Sequence, residues 1–235
     1  PEVGVQEETE FRGISGDTVF NVQAAPYNAV GDCVADDRSA IQSAINAAEL
    51  VGGSVFFPEP SGGCYLMDDT TALVLDAKAS LWSESKAEIH QADNVAAIQI
   101  RASDVSVRNL RITGPGSDSE VAGSHGIDAA GVAGPIDRIR LDDLEIEDFK
   151  DTGIFLSSVS NFDVRSSSIA DVYVAGIELD SSSDGRIAKN LIDGVVKTSD
   201  PGGGIVLDRG SGTESADPRS SDLVIDSNII KDVGS

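Results

Sequence analysis

Segments with helix-forming composition are scarce in this chain, which argues against a helical fold, and none approaches the length of a membrane-crossing helix. Basic residues are few. Against 40 Asp and Glu stand 17 Lys and Arg, leaving a formal net charge of -23. Phosphate contacts need a basic surface, so unaided nucleic-acid binding is excluded. No P-loop, dinucleotide fingerprint or cysteine–histidine zinc spacing occurs. Cysteine is limited to Cys33 and Cys64, each beside Gly and turn residues. They read either as the disulfide of an exported protein or as two buried thiols.

The acidic residues are scattered along the whole chain. A calcium-rich protein gathers its carboxylates. A protein that works in concentrated salt spreads them, because screening removes the self-repulsion of a highly charged compact state. The spread favours a halophilic source.

Gly, Ser, Val, Ile and Asp dominate, which suits short strands and many turns. Four stretches open with Gly-Ile and continue as short apolar strands: Gly126-Ile127-Asp128, Gly153-Ile154-Phe155-Leu156, Gly176-Ile177-Glu178-Leu179-Asp180 and Gly204-Ile205-Val206-Leu207-Asp208. Each is followed by a second strand-like stretch, with no helix between units. Repetition at an irregular period of about two dozen residues predicts an all-β, single-stranded parallel β-helix. Chemistry in such a fold is read from rows of residues on successive coils.

Ahead of the repeats, Asp36-Asp37 introduces an Ala-rich segment whose Ala40, Ile41, Ala44, Ile45 and Ala48 share one helical face. Asp36 or Asp37 is the expected N-cap and Gly52-Gly53 the end. The helix, within 36–51, is expected to cap the open apolar end of the β-helix. Residues 1–19 are taken as an N-terminal extension and 20–235 as the β-helix. The chain starts at Pro1 without Met and stops after a coil-like stretch at Ser235, so a longer natural protein is expected.

The cap region resembles the N-terminus of the pectate-lyase-like right-handed β-helix superfamily. The residues that carry the resemblance run from Tyr27-Asn28-Ala29-Val30-Gly31-Asp32 through Asp36-Asp37 and Ala40-Ile41 to Ser54-Val55-Phe56-Phe57-Pro58 and Tyr65-Leu66-Met67. The resemblance implies the fold. Its known members include lyases, glycoside hydrolases, alginate epimerases and virus tailspikes, so it does not choose an activity. Cys33 and Cys64 stand where the superfamily usually has Gly and Thr, and this paired departure favours the disulfide. The chain has no Asp-Pro-His-Glu stretch like that of alginate epimerases, and no Asn-Thr-Asp, Gly-Asp-Asp and Gly-His-Gly set like that of polygalacturonases.

Aligning the second strands gives apolar positions with steps of two, three and two, as in Val105, Val107, Leu110 and Ile112. Asn190 and Asn228 fall at the step of three, a tight corner where Asn tolerates a left-handed backbone. The outward rows between these positions, Ser106, Arg140, Asp163, Arg186, Val224 and Arg108, Asp142, Arg165, Ala188, Asp226, alternate in charge and read as a self-neutralised face.

The first-strand face differs. Its outward pairs include Gln99 with Arg101, Asp128 with Ala130, Phe155 with Ser157, and Glu178 with Asp180, and Asp208 stacks on Asp180. Asp180, Asp208 and Glu178 are the candidate catalytic residues, because like charges this close raise at least one carboxyl pKa. Phe155, Arg101, Asp128, His125 and Arg209 are the candidate substrate-binding residues. Calcium is the cofactor such a cluster suits. Stretches 113–125, 196–203 and 209–221 interrupt the corners and frame this face. The expected work is recognition of an extended polysaccharide or cell-surface glycan along the helix axis, by an extracellular or virion-surface protein of tailspike or spike type. A homotrimer is compatible with it. The alternative is a secreted polysaccharide lyase or glycoside hydrolase using the acidic cluster.

Overall fold

A computed structural model describes residues 18–131, 134–197, 202–208 and 220–234. Its strands form three sheets, of eight, six and seven strands. Every strand pairs in parallel with its counterpart on the next coil. One coil shows the path: Thr152–Ser157 in the six-stranded sheet, Val159–Arg165 in the eight-stranded sheet, Ser168–Val172 in the seven-stranded sheet, then Ala175–Asp180 above the start. This is the parallel β-helix that the repeats predict.

The register follows from burial. Ile127, Ile154 and Ile177 stack at one inward position and Leu141 and Val164 at another, all of them buried. A slip by one residue would turn each apolar row outward. The predicted outward rows are found: Arg140 pairs with Asp163, Asp142 with Arg165, and Asp180 with Asp208. Asp142 receives a 3.0 Å ion pair from Arg165. The eight-stranded face is not uniform, however. Towards the N-terminus its rows continue as Phe56 and Trp82, and as Ser54 and Ser80, where no charge alternates.

Glycine stands at the start of the last four six-stranded-sheet strands, at Gly126, Gly153, Gly176 and Gly204, because coils meet closely there. A Cβ on Gly153 would lie 2.5 Å from Ile169 Cγ2 and 2.8 Å from the carbonyl of Gly176. Gly126 and Gly176 face the same obstruction.

The tight corner corrects the expectation for asparagine. The left-handed residues are the preceding ones, Lys189 (φ 59°) and Ser227 (φ 54°), not Asn190 and Asn228. The asparagine side chains instead run up the corner as a ladder. Asn190 Nδ2 donates to Val164 O and to Asn228 Oδ1, both at 3.0 Å, and Asn190 Oδ1 accepts from Ser167 N at 3.0 Å. Ser167 Oγ continues the ladder by accepting from Leu144 N at 3.1 Å.

The helix spans Arg38–Glu49 and buries Ile41, Ala44, Ile45 and Ala48 against the first coils. Asp37 is the N-cap but makes no side-chain capping bond. Its buried carboxylate accepts from Val30 N and Gly31 N, tying the incoming loop to the helix. Asp36 Oδ1 accepts from Arg38 N at 3.1 Å in its place. Cys33 and Cys64 form a disulfide with Cα atoms 4.9 Å apart. The bond fixes the loop before the helix to strand Cys64–Met67.

Candidate functional site

The outward face of the six-stranded sheet carries two rows. Gln99, Asp128, Phe155, Glu178 and Val206 lie in register in one. Ala130, Ser157, Asp180 and Asp208 lie in the other. Arg101 follows Ile100, the partner of Ala129, and so extends the second row. Neighbours within a row are about 4.8 Å apart by strand spacing.

The polar groups condense around Asp128. Gln99 Nε2 donates to Asp128 Oδ2 at 3.4 Å, and Arg101 donates to Gln99 Oε1 at 2.6 Å. Burial pushes the Asp128 carboxyl above the usual carboxylate range, and the charge of Asp151 adds to the effect. His125, the Gln99 amide and Arg101 pull the other way without cancelling it. Asp128 Oδ1 is buried and lacks a hydrogen-bond partner among the described residues. A raised carboxyl thus lies at Asp128, one coil before Phe155.

His125 is nearly buried and its ring stacks on Phe155, with centroids 5.1 Å apart and planes 16° from parallel. His125 Nδ1 accepts from Thr152 N at 3.3 Å. That acceptor role places the ring proton on Nε2, which lies 3.7 Å from Asp151 Oδ2. Asp151 is held in turn by Gly123 N at 2.7 Å. Thr152 Oγ1 donates to Glu178 Oε2 at 2.9 Å, so the network reaches the next coil. Loop 114–125 is pinned over this end of the sheet by ion pairs from Lys150 to Asp118 and from Lys197 to Glu120.

Four of the sequence-derived candidates, Arg101, His125, Asp128 and Phe155, thus come together. Glu178 joins them through Thr152. Asp180 lies one row away, accepting from Ser157 Oγ at 3.3 Å and Ser181 Oγ at 2.9 Å. Asp208 pairs with it through the backbone, while Arg209 lies outside the described residues. Among the described residues no three His, Cys, Asp or Glu side chains converge to hold a metal ion. Sequence reasoning missed Asp151 and Thr152. Their signal was a further row: Thr152 and Ala175 are register partners directly before the glycine, the place His125 occupies one coil earlier.

Residues 83–235 match the family described as "Right handed beta helix region". The chain belongs to this right-handed β-helix family. One curated relative, the plasmin and fibronectin-binding protein A of Streptococcus pneumoniae, is 45% identical over 73 residues, which is 28% of this chain and 10% of the relative. Among solved structures, a mannuronan C-5 epimerase A-module from Azotobacter vinelandii superposes with a TM-score of 0.65 at 21% identity, covering 89% of this chain and 64% of its own. A family 28 exopolygalacturonase from Yersinia enterocolitica gives a TM-score of 0.59 at 16% identity, covering 91% and 53%. The chain thus spans less than two thirds of each of these relatives, and the two superpositions speak for the fold alone.

Proposed function

We propose that this β-helix recognises carbohydrate, holding an extended polysaccharide or cell-surface glycan along its axis over the six-stranded sheet. The stacked pair of His125 and Phe155 carries this reading. It presents a flat ring beside the hydrogen-bonding groups of Gln99, Asp128 and Arg101. An apolar plate next to a few oriented polar groups is the general composition of a small-molecule site. An extracellular or virion-surface protein of tailspike or spike type fits the Cys33–Cys64 disulfide, since such bonds persist in oxidising surroundings. The shared segment with a protein named for binding plasmin and fibronectin also suits a binding role.

The test is titration calorimetry of the chain against acidic and neutral polysaccharides, with Phe155→Ala alongside. Saturable binding to at least one polysaccharide, weakened tenfold or more by the substitution, is expected. Binding that Phe155→Ala leaves intact would remove the six-stranded sheet from the proposal.

One observation favours a second reading, cleavage by a lyase or hydrolase. A carboxyl raised by burial, beside a histidine oriented by an aspartate, is equipment for proton transfer. In that case Asp128 holds the proton to be donated, while both ring nitrogens of His125 are already engaged, by Thr152 N and Asp151. The same incubations, assayed for unsaturated or reducing ends, separate the readings.

A further inference from the structure

A groove of about 670 Å3 lies on the outward face of the eight-stranded sheet, away from every residue of the site above. Its shape follows from three rows. Ser54, Ser80 and Ser106 stack in register and make a floor of short hydroxyl side chains, with Ser106 Oγ donating to Ser80 Oγ at 2.8 Å. One wall is Trp82 and Arg108, in a row that Phe56 continues behind Trp82. The Phe56 and Trp82 rings are 4.6 Å apart, and the Arg108 guanidinium sits 5.2 Å from the Trp82 ring centre. The other wall is Lys78, Asp104 and Arg138, at the corner that leads into the sheet. At the next two coils Arg140 and Asp163 take the floor position and close the trough.

The lining of this groove is richer in basic than in acidic side chains. Lys78, Arg108, Arg138 and Arg140 line it against Asp104 and Asp163, in a chain with 17 basic and 40 acidic residues. The three arginines also have protein partners, Arg138 with both Asp104 and Asp137. Gathering so many of a scarce kind along one cleft still concentrates positive charge there. The serine floor leaves room for a chain to lie between the walls.

We propose that this groove binds one strand of an acidic, carboxylate-bearing polysaccharide, as a second glycan site separate from the six-stranded sheet. Trp82, its ring faces covered by Phe56 and Arg108, supplies an apolar edge against which a sugar ring can lie. The serine hydroxyls pair with sugar hydroxyls. The arginines take the carboxylates, for which the guanidinium fork is shaped. The site shares only its ligand class with the proposed function, so each stands or falls by its own variants.

The test is calorimetric titration of the chain with polygalacturonate and mannuronan, with dextran as neutral and poly-glutamate as acidic peptide controls, at one fixed salt concentration. Both polyuronates are expected to bind and both controls to fail at this site. Ser80→Phe fills the floor from the solvent side, and Trp82→Ala removes the wall. Each is expected to weaken polyuronate binding tenfold or more, and Arg108→Gln to flatten its salt dependence. Should Ser80→Phe fail to fold, as judged by its melting curve, Trp82→Ala and Arg140→Gln carry the test. Polyuronate affinity unchanged in the groove variants overturns the proposal, as does an absence of polyuronate binding. Equal binding of poly-glutamate, lost with Ser80→Phe, overturns the carbohydrate assignment in favour of an acidic peptide. Loss in Phe155→Ala alone leaves the six-stranded-sheet site standing and this one not.

Discussion

Asn190 and Asn228 are bonded side chain to side chain across neighbouring coils, Asn190 Nδ2 donating to Asn228 Oδ1 at 3.0 Å. Asn190 is buried, and each of its polar side-chain atoms also serves the backbone of the coil below. Asn190→Ala leaves Ser167 N and Val164 O without these partners. Each unpaired buried group costs about 1–3 kcal/mol. Thermal denaturation is expected to show a midpoint lower by several degrees, while Ser227→Ala, on the exposed side of the same corner, shows a much smaller change.

Asp128→Asn is expected to stabilise the fold at neutral pH. Burial raises the Asp128 carboxyl in the folded state above its unfolded value. The folded protein therefore binds the proton more tightly. The stability this contributes is complete below the unfolded pKa, about 3.9, and is lost as pH rises through the higher folded value. An amide escapes that loss. Melting midpoints of parent and variant should converge towards pH 3 and separate, in favour of the variant, towards pH 7. A variant that is less stable at pH 7 would falsify this account of Asp128.

The acid–base reading and the original acidic-row expectation part company in a second experiment. If any polysaccharide is cleaved, Asp128→Asn should lower the rate by 100-fold or more, the scale of general acid–base assistance. The double variant Asp180→Asn with Asp208→Asn should do so only if the row beside Glu178 performs the chemistry. Measured rates of unsaturated-end or reducing-end formation decide between the two.

Breaking the disulfide should loosen the cap. It closes a loop with a sequence separation of 31, for which chain entropy gives about 3–4 kcal/mol. Cys33→Ser with Cys64→Ser is expected to melt at a lower temperature. A reductant should lower the parent's midpoint and leave the variant's unchanged.

Salt should stabilise the molecule. The formal charge of -23 repels itself, and added ions screen that repulsion. Midpoints are expected to climb steadily from low to molar potassium chloride. A midpoint indifferent to salt contradicts the halophilic expectation.

The fold was legible because inward positions obey a rule that composition reveals. The period-two apolar steps around Val107, Leu141 and Val164 set the register of the eight-stranded sheet, and the Gly-Ile starts set that of the six-stranded sheet. The site was legible only in part. Asp128, Phe155 and Glu178 emerge from row alignment, but Asp151 and Thr152 lie before the glycine, in a corner whose path depends on the loop packed over it. The groove was missed because its defining feature is small size. Serine at Ser54, Ser80 and Ser106 signals little by itself, and becomes a floor only between two taller rows.

The corner ladder has one more consequence. Its steps from Leu144 to Ser167 and from Ser167 to Asn190 are 23 residues, yet the step from Asn190 to Asn228 is 38 with the hydrogen bonds unbroken. Vertical pitch is thus independent of how much chain is spooled out between rungs. The molecule behaves as a rack, on which segments of unequal length hang without disturbing the shelf above. Variation in those segments can retune what the surface meets while the frame that carries them stays the same.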